Sequence, residues 1–89
     1  MSQKPKDKVM RVEIHTMAGS PLVLENVSAF NVLLSDGGWL GILPGHTNLV
    51  AATVDGEARY TIGEEQLTRY ISSGILSVAD NVVSILTTK

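Results

Sequence analysis

Apolar residues in this chain recur at every second position and scarcely anywhere at every third or fourth. Met10, Val12 and Ile14 alternate with Arg11, Glu13 and His15. Phe30, Val32 and Leu34 repeat the pattern around an outward Asn31, Tyr60 and Ile62 alternate with Arg59 and Thr61, and Val83, Ile85 and Thr87 alternate with Val82, Ser84 and Leu86. A period of two sends successive side chains to opposite faces of a pleated strand, so each run has one face for a core and one for water. No window of 11 residues carries a good helical stripe. The chain is all-β.

Turn residues cut the pattern into short pieces. Ala18-Gly19-Ser20 precedes a short strand at Pro21-Leu22-Val23-Leu24, and Ser35-Asp36-Gly37-Gly38 makes a sharp turn after the Phe30 run. Trp39 to Leu43 resumes extended chain until Pro44-Gly45 breaks it, and Leu49 to Val54 ends at the tight-turn pair Asp55-Gly56. Gly63-Glu64-Glu65 and Asp80-Asn81 turn the chain again. Leu67 to Val78 reads as one long extended stretch, with Gly74 as a bend or a close backbone approach. About eight or nine short strands at roughly 8–12-residue spacing is the pattern of a sandwich or barrel.

Length and charge bound the rest. Eighty-nine residues allow one small core, which we place at residues 9–89 behind a basic, flexible N-terminal tail at residues 1–8. Within residues 1–11, Lys4, Lys6, Lys8 and Arg11 stand against Asp7, a balance of +3; within residues 12–89, Arg59, Arg69 and Lys89 stand against eight acids, a balance of −5. An acidic body with only 4% aromatic residues argues against a nucleic-acid surface. No apolar run approaches the about 20 residues of a spanning helix, and no apolar segment follows the basic start as in a secretory signal. The chain reads as cytosolic, or as lying on the cytosolic side of a membrane. With no cysteine, a disulfide scaffold and a Cys-ligated zinc site are excluded.

Candidate chemistry is sparse. The two histidines, His15 and His46, stand 31 positions apart without clustered carboxylates, which is poor metal-ligand spacing. No Gly-x-Ser-x-Gly elbow is present, Glu64-Glu65 belongs to a solvated turn, and Gly37-Gly38-Trp39-Leu40-Gly41 lacks the Lys-Ser/Thr and the helix of a phosphate loop. Asn26-Val27-Ser28 is a chance glycosylation triplet. The residues point to no catalytic group, metal or cofactor. What stands out is Gly38-Trp39-Leu40-Gly41-Ile42-Leu43-Pro44-Gly45-His46, in which closely spaced glycines surround apolar side chains and Pro44 ends the ladder.

Gly41-Ile42-Leu43-Pro44-Gly45-His46, preceded by Asp36-Gly37-Gly38, resembles the signature of the epsilon subunit of F-type ATP synthases, called delta in mitochondria. Ile71-Ser72-Ser73-Gly74-Ile75-Leu76-Ser77-Val78 is similar to that family's Ser-Gly-Gly strand, and Asn81-Val82-Val83-Ser84-Ile85-Leu86 to its closing strand. The resemblance spans nearly all of the chain after residue 9. It implies a ten-stranded β-sandwich or flattened barrel in which Gly41, Ile42, Leu43, Pro44, Gly45 and Gly74 are structural. It implies a non-catalytic rotor-stalk subunit that couples the gamma subunit to the c-ring of the membrane sector. Such a subunit lies at the cytoplasmic face of an energy-transducing membrane and meets the membrane only through the complex.

Where the family has a helical hairpin after the sandwich, this chain shows no helical segment before Lys89, so inhibition of hydrolysis and nucleotide binding by a hairpin are not carried over. The resemblance places the c-ring contact at Gly38, Trp39 and Leu40 and the gamma contact at His46, Thr47 and Leu49. The position of Trp39 is often acidic in the family, facing basic ring loops, so an apolar or cation–π contact has to replace a charge pair here. Thr47-Asn48 stands where Ala-Pro is common, and Ser73 replaces a glycine. From the residues alone, Trp39 either plugs one end of the sandwich or stays outside it, and an exposed Trp39-Leu40 or Leu49-Val50 pair forms an apolar patch of the kind monomers avoid. Two rivals stay open: a free-standing β-sandwich protein-binding module, and a small hydrolase or metal enzyme using His15 and His46.

Overall fold

The computed structural model describes residues 9–17 and 19–88. The basic segment at residues 1–8, Ala18 of the first turn and Lys89 lie outside the described residues. The fold consists of eight strands, β1 (Met10–His15), β2 (Leu22–Leu33), β3 (Trp39–Ile42), β4 (Leu49–Thr53), β5 (Gly56–Ile62), β6 (Glu65–Ile71), β7 (Gly74–Ala79) and β8 (Val82–Thr87), with no helix among the described residues.

The alternation does what its period demands. Met10, Val12 and Ile14 of β1, Phe30 and Val32 of β2, Tyr60 of β5, and Val83 and Ile85 of β8 are all buried, joined by Val27, Ile42, Ala58, Ile71, Leu76 and Val78. Phe30 and Tyr60 stack with ring centroids 6.4 Å apart. Leu22, Leu24, Leu34, Leu40, Leu49, Ile62 and Leu67 pack around this cluster, half buried.

Strand β2 turns one ladder into two layers. The pairing order is β4-β7-β8-β1-β2-β5-β6, with β3 added to β2. The first half of β2 pairs with β1 (Ile14↔Leu22, Val12↔Leu24), while its second half lies between β3 (Phe30↔Ile42) and β5 (Phe30↔Tyr60). Between the halves, Asn26 adopts φ 60, and the registers slip beside it on both edges. A bulge of this kind bends a strand and increases its twist, and Asn is among the few non-glycine residues that enter the left-handed region readily. One layer is therefore β4-β7-β8-β1 with the start of β2, and the other is β3-β2-β5-β6. A single bridge, Leu34↔Thr53, stitches the layers where β2 ends, and the sheet does not close into a barrel.

Four expectations change in detail. The sandwich stands, but the described residues form eight strands rather than ten. One reason is that Pro21–Leu24 and the Phe30 run are not separate strands: backbone pairing continues through the Asn26 bulge. Leu67 to Val78, in contrast, is not one stretch. The chain leaves β6, paired to β5, at Ser72-Ser73 and enters β7, paired to β4 and β8 in the other layer. Asp55-Gly56 is not a hairpin but a layer crossing, since β4 pairs with β7 while β5 pairs with β2 and β6. The Asp55 carboxylate accepts the Ser73 amide at 2.6 Å, tying the two crossings together.

The other turns follow their residues. Gly63 (φ 62) opens the two-residue β5–β6 loop, and Asp80 and Asn81 (φ 53 and 62) form the β7–β8 turn with the paired positive φ values of type I′. Gly74 is where two backbones meet. A Cβ there would lie 2.2 Å from the Leu86 carbonyl oxygen.

Candidate functional site

The described residues hold no catalytic constellation. His15 Nε2 lies 3.2 Å from Glu13 Oε1, and His46 Nδ1 donates to the Thr47 carbonyl at 2.8 Å. No group of three His, Asp or Glu side chains that could hold a metal ion occurs among the described residues. Among the described residues no helix is long and apolar enough to cross a membrane. The candidate contact residues belong to the outward faces of the two layers and to the β3–β4 connection.

At the edge of β3-β2-β5-β6, the β2–β3 hairpin carries Gly38, Trp39 and Leu40. Gly37 (φ 92) turns the loop, the Leu34 amide donates to the Gly38 carbonyl at 2.8 Å, and the Gly38 amide donates to Asp36 Oδ1 at 2.8 Å. Gly38 is exposed, whereas Leu40 points inward and packs on the core. Trp39 does not plug the sandwich: it faces outward and is 49% exposed. Its ring lies under the guanidinium of Arg59 on β5, 4.8 Å from the centroid. Sequence reading missed Arg59, because the two residues are 20 positions apart and meet only through the registers Leu33↔Trp39 and Asn31↔Arg59. Gly41 also has a spatial reason, since a Cβ there would come within 2.9 Å of Asn31 Oδ1.

Of the other predicted contact residues, His46 and Thr47 lie in the β3–β4 connection and Leu49 opens β4. Leu43-Pro44-Gly45-His46 is a type II turn, with Gly45 at φ 84 and the His46 amide donating to the Leu43 carbonyl at 3.1 Å. The Gly45 amide donates to Asn81 Oδ1 at 2.6 Å, and the Asn81 carbonyl accepts from Arg11 N at 3.0 Å, so one side chain in the β7–β8 turn pins this loop. Ile42 is core, Leu43 and Thr47 are exposed, and His46 and Leu49 are half buried.

Beyond Leu49, the outer face of the first layer is apolar. Val50 is 73% exposed, and Ile75 and Leu86 are exposed and directly paired. With His15, Ser77 and Ser84 these two line a shallow groove of about 360 Å³. The signal for this face was in the chain: β7 and β8 carry apolar residues at both parities, which a strand with one wet face does not need.

Toward β1 and β2 the same face becomes charged. Arg11 Nε meets Glu13 Oε2 at 2.7 Å, and Arg11 Nη1 meets Glu25 Oε2 at 3.3 Å. The hydrogen bond from His15, with Arg11 adding to it against partial desolvation, holds the Glu13 carboxyl below its ordinary range.

Residues 9–89 match the family described as the ATP synthase Delta/Epsilon chain, beta-sandwich domain. This chain belongs to that family. Among curated relatives, this chain is 43% identical over 49 residues to the ATP synthase epsilon chain of Hydrogenovibrio crunogenus, covering 55% of this chain and 34% of that one. It is 38% identical over 64 residues to that of Desulfitobacterium hafniense, covering 72% and 48%. It is 34% identical over 73 residues to that of Lawsonia intracellularis, covering 82% and 50%. The chain thus spans at most about half the length of these relatives. In fold it is similar to a chain of the Euglena gracilis mitochondrial ATP synthase, in a structure of OSCP, F1 and c-ring, at TM-score 0.79 and 21% identity over 100% of this chain and 56% of that one. It is also similar to a chain in the central stalk and c-ring of the Tetrahymena thermophila mitochondrial ATP synthase, at TM-score 0.71 and 15% identity over 94% and 66%.

Proposed function

We propose that this chain is the β-sandwich of a central-stalk subunit of an F-type ATP synthase, a non-catalytic adaptor that couples the gamma subunit to the c-ring at the cytoplasmic face of the membrane. The observation that carries the reading is the pair of unlike surfaces on opposite layers, an aromatic edge at Gly38 and Trp39, backed by the inward Leu40, and an apolar face at Val50, Ile75 and Leu86. A part that transmits torque has to grip two partners at once, and two separated surfaces on a rigid body allow that. In this reading the Trp39 edge seats on the ring. The gamma subunit covers the apolar face together with His46, Thr47 and Leu49.

Co-expression with the gamma and ring subunits of the same source tests both contacts. Val50→Asp should abolish gamma co-purification, and Trp39→Ala should weaken ring retention by about 30-fold, since truncating a Trp at an interface centre costs about 2 kcal/mol. Full gamma binding by Val50→Asp with normal ring retention by Trp39→Ala would overturn the assignment in favour of an unrelated protein-binding module.

A further inference from the structure

We propose that the free edge of β6 pairs with β6 of a second copy of this chain, antiparallel across a two-fold axis at Leu67. The inference goes beyond the stalk reading, since neither contact proposed there includes a residue of β6.

Among the described residues, the strands with an open edge are β3, β4 and β6. The edge of β4 is partly covered, because the Ala52 carbonyl accepts from the Ser35 amide at 3.1 Å and Thr53 is bridged to Leu34. Strand β3 has only four residues, and Pro44 follows close behind it. Strand β6 has seven, with no proline and no slip in its register on β5. The two-residue loop closes at Ile62↔Glu65, so Ile62↔Glu65, Tyr60↔Leu67 and Ala58↔Arg69 exchange the ladder bonds. Gln66, Thr68 and Tyr70 therefore turn their backbone N–H and C=O groups away from β5, and no described strand receives them. The complement of such a row is another extended chain.

Side chains choose the occupant. Glu65, Leu67, Arg69 and Ile71 share the inward parity of β6, where Leu67 and Ile71 pack on the core. Glu65 and Arg69 are exposed and join no ion pair among the described residues. Charges at inward positions ordinarily blunt an edge against a stranger's strand. Against a second β6 they select a register instead. With the axis at Leu67, Glu65 of each copy stands opposite Arg69 of the other, and the two Leu67 side chains meet at the centre. Opposed residues in a pair without backbone bonds have Cα atoms about 4.5 Å apart, within reach of an ion pair. Gln66 and Thr68 of each copy then exchange backbone bonds with Thr68 and Gln66 of the other. A foreign strand would have to bring an acid and a base at these same two positions; β6 carries both itself. An edge this short buries less than the about 1,200 Å² of a standard interface, so the dimer is transient, with a Kd of about 0.1–1 mM.

Sedimentation equilibrium of the full chain, up to about 1 mM and at low and physiological salt, tests the pairing. The mean mass of wild type should rise from monomer toward dimer. Glu65→Arg alone, or Arg69→Glu alone, sets like charges opposite each other in both pairs and should weaken the dimer roughly tenfold or more at low salt. The double variant, Glu65→Arg with Arg69→Glu, restores opposite charges and should return to wild-type association. Thr68→Pro removes an outward N–H without touching the β5 ladder and should leave the chain monomeric. A wild type that stays monomeric up to about 1 mM overturns the inference, as does a dimer that these variants leave unchanged. If Val50→Asp abolishes association while the β6 variants do not, the apolar face is the interface and the β6 pairing is wrong. Loss of gamma co-purification by Thr68→Pro, with wild type monomeric alone, would give the edge to the gamma subunit instead. Should Thr68→Pro lower the melting temperature, the charge reversals and their rescue in the double variant decide by themselves.

Discussion

Thr53 offers a test of how β4 and β7 are held in register beside the bridge that joins the two layers. It is 4% exposed at the end of β4, directly opposite Gly74 on β7. Its hydroxyl donates to the Gly74 carbonyl at 3.2 Å and accepts from the Gly74 amide at 3.1 Å. Thr53→Val keeps the shape and removes both bonds. Each neutral bond contributes about 0.5–1.5 kcal/mol net, and stranding a buried amide costs about 1–3 kcal/mol. The added methyl returns about 0.8 kcal/mol, leaving a loss of about 2 kcal/mol. Thr53→Ser keeps the hydroxyl and loses only the methyl, for about 1 kcal/mol. In a domain this small 1 kcal/mol moves Tm by about 4–8 °C. The Val variant should therefore melt about 8–16 °C below wild type and the Ser variant about half as far. Urea titration with an unchanged m-value would confirm that the difference is stability rather than a change of the unfolded state. A Val variant as stable as the Ser variant would refute the reasoning, since the methyl and not the hydroxyl would then be what holds the site.

Gly74→Ala should be worse still: its Cβ would lie 2.2 Å from the Leu86 carbonyl oxygen and 2.8 Å from Thr87 Cα, so the β7–β8 ladder has to part, at a cost of at least about 3 kcal/mol measurable by denaturant melts. Asn81→Gly keeps the left-handed turn but removes the acceptor of the Gly45 amide, so that amide should exchange with deuterium faster; Asn81→Asp keeps the acceptor and should protect it as wild type does. Glu13 has its pKa depressed in the fold, chiefly by the His15 hydrogen bond, so its contribution is present above the ordinary carboxylate range and is lost as pH falls through the lowered value. Glu13→Gln should therefore reduce the fall of Tm with acid below pH 5, and added salt should shrink the difference because the pair is partly exposed.

The fold was legible wherever a local rule decides the outcome. The alternation at Met10, Val12 and Ile14 is a core face because the pleat makes it one, and Asp80-Asn81 is a turn because both residues tolerate positive φ. The layers were not legible, because they depend on which distant strands pair. Asn26 reads locally as a break, yet pairing carries the strand through it. Leu67 to Val78 reads as continuous because its apolar residues are continuous, although the layer changes at Ser72-Ser73. The Gly-Ile-Leu-Pro-Gly-His string located the loop but not the Asn81 side chain that pins it. Trp39 was singled out, while Arg59 stayed hidden in an ordinary wet parity position.

The parallel pairing of β1 with β8 has a consequence for how the chain reaches its fold. Arg11 aligns with Val82, so the first strand waits for a partner 71 residues further on, and β8 must slide between β1 and β7 to complete the layer. Loop closure over that span is slow, as in other proteins dominated by distant strand pairs, which fold in milliseconds to seconds. Until residues 82–87 leave the ribosome, a nascent chain that has already formed the β1–β2 pair carries one bare edge of β1. Arg11 and Glu13 alternate along that edge with the apolar Met10, Val12 and Ile14, and a bare edge can template pairing with a second chain. Arrival of the last strand closes that window.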